Sequence, residues 1–198
     1  MRRMAQIKFQ APQSQTPEQR FGSSYEQPFE LLQACHERVE RSLQLLMRLC
    51  QHLKVQGMDA SARDAARDIL RYFDIAAPLH HEDEERHVFP VLEQLDDEAL
   101  KEICGRLRDD HQRIHAQWQV LRTLLAQLDT LPDGPLPALQ QEVLWRASDA
   151  FVDLHKEHLR LEDQRVFPGA RQGLSSAQQK AMGEEMAARR GLDLRQPG

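Results

Sequence analysis

The chain has 198 residues, a formal charge of −5, 29% charged residues and 6% aromatics. That length suits one domain with a core that needs no disulfides, and a mildly acidic balance without a long Lys/Arg block argues against nucleic acid or an anionic membrane as the main partner. No apolar run is long enough to span a bilayer and the start MRRMAQIKFQ lacks a signal-peptide core, so the expected compartment is the cytoplasm.

Residues 1–24 are rich in Gln, Pro and Ser without periodic apolar positions and read as a mobile arm; residues 25–198 read as the folded domain. Pro28 suits a first helical position. From there Phe29, Leu32, His36, Val39, Leu43, Leu46, Cys50 and Leu53 step by three and four, which is a bundle seam with a histidine in it. A second helix is predicted from about Ala60 to Leu92, with Ile69, Phe73, Ala76, His80, Glu84 and Val88 or Val91 inward. Pro78 should delete one backbone bond and bend it, and Pro90 should weaken its last turn.

Asp96 or Asp97 can cap a third helix over about 97–129, with Leu100, Leu107, His111, Ile114, Trp118, Leu121, Leu125 and Leu128 on one stripe and His115 one turn below His111. The segment LPDGPLP, from Leu131 to Pro137, is a connection. A fourth helix should present Leu139, Val143, Ala147, Phe151, Leu154, His158 and Glu162 inward. Ser175 and Gln178 form a capping box for a short fifth helix that ends at Arg189, Arg190 and Gly191. The expected fold is all-α: an up-down-up-down four-helix bundle with a short fifth C-terminal helix.

The pattern that carries chemistry occurs twice, as HHEDEERHVFP from His80 and HLRLEDQRVFP from His158, with Phe73 and Phe151 each seven residues ahead. Residues four apart on a helix share a face, so each copy aims an imidazole and a carboxylate at one spot. The copies are 158 − 80 = 78 residues apart, which suggests two helical hairpins that each supply half of a shared centre. Every long helix also has a histidine where an apolar residue is expected, and unpartnered buried imidazoles are costly.

The inward set is therefore His36, His80, Glu84, His111, His158 and Glu162, with His115 as a seventh candidate ligand. Imidazole and carboxylate donors without thiolate favour iron or manganese over structural zinc. Six or seven groups are too many for one ion, whereas two carboxylates from facing helices can bridge a pair. His52, His81 and His87 read as surface histidines and His155 as a hydrogen-bonding neighbour of the centre. Cys35, Cys50 and Cys104 lack Cys-x-x-Cys spacing and read as free thiols, although Cys35 adjoins His36.

His36, the two His-x-x-x-Glu copies, the third-helix segment DDHQRIHAQW and the tail SSAQQKAMGEEMAARRG together resemble the hemerythrin-like HHE cation-binding family over about residues 29–191. The resemblance implies a left-handed four-helix bundle around two iron ions bridged by carboxylates and an oxo or hydroxo group. In oxygen-carrying members the third helix supplies two histidines four apart, which implies coordination by both His111 and His115. Those carriers also end with His and Asp five apart. Here Glu162 stands at offset four and Asp163 at offset five, and the register of His80 with Glu84 favours Glu162.

The leading expectation is a non-haem di-iron protein that binds or senses a small diatomic ligand, oxygen or nitric oxide, or handles iron in stress protection. The alternatives are a di-iron redox enzyme, for peroxide or nitric oxide reduction or iron-centre repair, and a zinc- or manganese-holding helical interaction module. Repair members carry a cysteine-bearing segment in front, and residues 1–24 have no Cys. The chain leaves no room for a signalling output domain, so a sensory role needs a protein partner.

Overall fold

The computed structural model describes residues 25–192, so the expected N-terminal arm lies outside the described residues. Four long helices form the body: α1, Pro28–Val55; α2, from Ala60 to Glu93; α3, Glu98–Leu128; and α4, from Ala138 to Gly173. A shorter α5 covers Ser176–Arg189. Contacts run α1 to α2, α2 to α3, α3 to α4 and α4 back to α1, which closes the bundle. No strand occurs among the described residues.

The ends follow from local chemistry. Pro28 opens α1. The Asp59 carboxylate accepts the Ala62 N–H at the start of α2, and Asp97 accepts that of Leu100 at the start of α3. Ser175 and Gln178 form the reciprocal capping box of α5. In the LPDGPLP connection, Met58 and Gly134 exchange backbone hydrogen bonds of 2.7 and 3.0 Å. Gly57 is required opposite: its φ is +79°, and an added Cβ would lie 2.2 Å from the Gly134 oxygen.

Pro78 and Pro90 do not end α2. The turn immediately before each is widened: the N–H of Ala77 reaches the Tyr72 oxygen and that of Phe89 the Glu84 oxygen, five residues back. In α4 the N–H of Phe167, just before Pro168, reaches the Glu162 oxygen in the same way. A proline ring collides with the carbonyl one turn earlier, and a π turn makes room for it. The widening also preserves register. His80, Glu84, Val88 and Leu92 are all buried at steps of four, whereas an uninterrupted α-helix would rotate the last about 120° from the first. His158, Glu162, Val166 and Ala170 repeat the arrangement.

The seam expected for α4 needs correcting towards its N-terminus. Leu139 and Val143 are 75% and 43% exposed, and Leu144 and Ser148 are buried instead. Counting back from Phe151 by fours drifts off the face, while the observed steps of three and four hold it. A polar residue concealed the true seam. Ser148 is satisfied there, its hydroxyl donating to the Leu144 oxygen at 2.8 Å and accepting from the Cys50 thiol at 3.3 Å.

The core falls into two apolar clusters. One includes Val39, Leu46, Ile69, Phe73, Ile114, Trp118 and Phe151; the other includes Phe29, Leu32, Phe89, Leu107, Phe167 and Met186. His36, His80, His111 and His158 lie between residues of the two clusters along their own helices, so a polar layer is sealed above and below by hydrocarbon.

Helix α5 closes the second cluster with Met182, Met186 and Ala187. At Gly183 a Cβ would come 1.8 Å from the Tyr25 oxygen, so only glycine permits this approach. Its last turn grips α2 by charge. Arg190 Nη2 donates to Asp83 Oδ2 at 2.6 Å, and Arg189 donates to Asp83 Oδ1. Asp83 is fully buried one residue before Glu84.

Candidate metal centre

His36 from α1, His80 and Glu84 from α2, His111 from α3, and His158 and Glu162 from α4 converge in the polar layer, all buried. They fall into two groups that share both glutamates. His36, His80, Glu84 and Glu162 have ligand atoms within 4.8 Å of one another, and so do Glu84, His111, His158 and Glu162.

The orientation of the glutamates is the informative detail. Glu84 turns Oε1 towards His80 Nε2 (3.3 Å) and His36 Nε2 (3.7 Å), and Oε2 towards His111 Nε2 (3.5 Å). Glu162 turns Oε2 towards His36 Nε2 (3.2 Å), and Oε1 towards His158 Nε2 (3.1 Å) and His111 Nε2 (3.9 Å). Each carboxylate thus gives one oxygen to each group. Despite the short distances these atoms lack hydrogen-bond partners: nitrogens and oxygens aim at shared space rather than at each other.

Ten buried atoms are left in this way: both oxygens of Glu84 and of Glu162, both ring nitrogens of His80 and of His158, and Nε2 of His36 and of His111. At roughly 1–3 kcal/mol for each unmet buried polar group, the total would match or exceed the ~5–15 kcal/mol stability of a typical domain. The layer is built for a positive occupant.

The electrostatics agree. Burial alone would lower His36, but Asp163, Glu162 and Glu84 outweigh it and push it up to about 12. His111 is raised against its burial to about 10 by Glu162 and Glu84. Burial and Glu162 act to raise Glu84, yet His80, His111 and His36 bring it below its ordinary value. His158, His111 and His36 hold Glu162 well down against its burial. Two fixed negative charges therefore demand cations, which protons or metal ions can provide.

His115 is the correction among the seven predicted ligands. It is exposed and lies in neither group. After His111 the buried stripe of α3 steps by three to Ile114, so His115 falls one residue, about 100°, past the seam.

His81, read from sequence as a surface residue, takes the place proposed for it. It groups with His111 and His158, its ring stacks on His111 at 4.0 Å and 11°, and burial followed by His111 and His80 pushes it well below the ordinary imidazole range, keeping it neutral. Helix α2 contacts both α1 and α3, so consecutive histidines serve different sides: His80 meets His36, and His81 meets His111. The doubled histidine was the available signal.

Two further acids bond to histidines of the centre: Glu85, which the sequence reading left in a solvated run, and Asp163, which it weighed only as an alternative ligand to Glu162. Glu85 Oε1 accepts from His111 Nδ1 at 2.7 Å, and Asp163 Oδ1 accepts from His36 Nδ1 at 2.9 Å. His155 is bonded to backbone instead: its Nδ1 donates to the Phe151 oxygen at 2.8 Å, and burial holds it down to about 4. His52 pairs with Asp59 and His87 with Glu185. The three cysteines are free thiols.

A buried layer of imidazoles with two shared carboxylates, inside an antiparallel four-helix bundle, defines a protein suited to binding metal cations. A hemerythrin HHE cation binding domain matches residues 27–170, and the chain belongs to that family. It is also 30% identical over 168 residues, 85% of this chain and 92% of the other, to an uncharacterized protein of Haemophilus influenzae. No helix among the described residues is long and apolar enough to cross a membrane.

Proposed function

We propose that this chain holds two iron ions and binds a small diatomic ligand, oxygen or nitric oxide, for sensing, storage or protection against stress. The observation that carries this reading is the split aim of Glu84 and Glu162, each with one oxygen for each histidine group. Such a pair of ions, once bound, supplies redox chemistry and a coordination position open to a small ligand.

The chain's own residues make the two sides unequal. His81, His111 and His158 offer three imidazoles on one side, and His36 with His80 offer two on the other. The position in α4 that corresponds to His81, 78 residues on, is Leu159. There the His36 side has an apolar wall in place of a donor, which leaves room for an outside ligand. Leu159 also lines a pocket of about 280 Å³ together with Leu43, Lys156, Arg160 and Asp163. Asp163 links that pocket to His36, and we take the pocket as the way in.

Aerobic purification with metal analysis and an absorption spectrum tests the reading. Two irons per chain with near-ultraviolet absorption of a ferric pair, perturbed by nitric oxide or azide, are expected. A colourless protein with a single zinc ion would overturn it.

A further inference from the structure

Glu85 and Asp163 occupy the same place in the two motif copies, one residue after the shared glutamate. Each reaches across the bundle. Glu85 on α2 takes the Nδ1–H of His111 on α3, and Asp163 on α4 takes the Nδ1–H of His36 on α1. If α1 with α2 and α3 with α4 are the two hairpins, each acid belongs to one hairpin and its histidine to the other.

The recipients are not arbitrary. His80 and His158 each have a glutamate four residues on to share their face of the helix, and both of their ring nitrogens lack hydrogen bonds. Four residues on from His36 and His111 stand Glu40 and His115, both exposed and in neither ligand group; for each histidine Nδ1 is bonded to the acid from across the bundle, and Nε2 is the orphaned atom facing the centre. An imidazole that donates through one nitrogen is fixed in tautomer and ring orientation, with the other nitrogen offered as a lone pair.

We propose that Glu85 and Asp163 are crossed positioning residues: each hairpin holds the solitary histidine of the other in its ligating form, and each acid governs retention of one ion. Asp163 acts on the His36 side and Glu85 on the His111 side. This rests on the two-ion reading above. Both side chains are partly exposed, 46% for Glu85 and 41% for Asp163, so their removal leaves no cavity in the core.

The test is cobalt(II) binding to the full chain, unaltered and as Glu85→Ala, Asp163→Ala, Glu85→Gln and Asp163→Asn, by competition with a chelating dye. Each alanine variant should lose about 10- to 100-fold in affinity for one ion and leave the other within about twofold. The amide variants, whose carbonyl still accepts the Nδ1–H, should recover most of the loss. Proton spectra of the cobalt-loaded protein identify the side: Glu85→Ala should remove the shifted, exchangeable Nδ1–H signal of His111 and keep that of His36, and Asp163→Ala the reverse. Stripped variants should melt with the stripped unaltered protein.

Unchanged affinity for both ions in both alanine variants, or equal weakening of both ions by either variant, would overturn the assignment. If the unaltered chain bound fewer than two cobalt ions, the two-ion reading would fall and this assignment with it.

Discussion

The two motif copies share a backbone device and a donor pair but differ in what surrounds them. Both place a histidine, a glutamate four residues on and a second acid beside it, and both widen the next turn before proline. Three of the positions at which they part involve groups near the centre. His81 corresponds to Leu159, Ala77 to His155, and Asp83, gripped by Arg189 and Arg190, to Leu161. The common residues build a frame with two equivalent halves. The unlike ones give the copies different tasks: the first adds a donor and is tied to α5, and the second sets an apolar residue beside a pocket.

The largest effects should come from what the halves have in common. Glu84→Ala and Glu162→Ala are each expected to lose most of both ions, because each carboxylate serves both groups, and metal analysis after identical loading reads this out. Metal stripping of the unaltered protein should lower its melting temperature clearly, since the buried glutamate oxygens and histidine Nε2 atoms are then left without a partner cation. Two retained ions in either alanine variant would break the equivalence of the halves.

Exchanging the unlike residues should invert their tasks. Leu159→His is expected to fill the place on the His36 side and weaken azide or nitric oxide binding about tenfold or more, as for loss of roughly 1.4 kcal/mol. His81→Leu should keep ligand binding and open a second position, seen as a second binding phase. Identical ligand titrations for the three proteins would remove the link between Leu159 and the open side.

A smaller, pH-dependent effect belongs to His155. Its folded value lies near 4 against an ordinary 6.5, so its contribution is complete above pH 6.5 and is lost as pH falls towards 4, where the unfolded chain takes up a proton that the fold refuses. The limit is about 3 kcal/mol. In stripped protein, His155→Phe should flatten the fall in stability over that window relative to the unaltered chain, measured by urea unfolding. Parallel curves would show that His155 is not held neutral. Smallest of all, His115→Ala should change neither metal content nor stability by more than about 0.5 kcal/mol.

Most of the bundle was legible because apolar residues at steps of three and four can bury only one face. His36, His80, Glu84, His111, His158 and Glu162 stood out as polar groups on those faces. His81 did not. A helical wheel assigns one inner face to each helix, whereas α2 touches a neighbour on either side and the centre lies where those contacts meet. His115 was overvalued because one helical turn from His111 still leaves it past the seam. Asp83 and Glu85 were hidden in an acidic run that reads as solvated surface until α5 and α3 supply the basic and imidazole partners. The widened turns before Pro78, Pro90 and Pro168 were also invisible, since proline alone does not say how the helix makes room for its ring.

Those widened turns bear on how the chain tolerates change in length. A π turn is an α-helix with one residue too many, so deleting one residue between Glu85 and Val88, or between Asp163 and Val166, would restore a regular and locally better-bonded helix. It would also rotate everything beyond by about 100°, carrying Phe89 and Leu92, or Phe167 and Ala170, off the buried face. At Arg86 or Gln164, both exposed within these stretches, the protein should accept substitution far more readily than deletion.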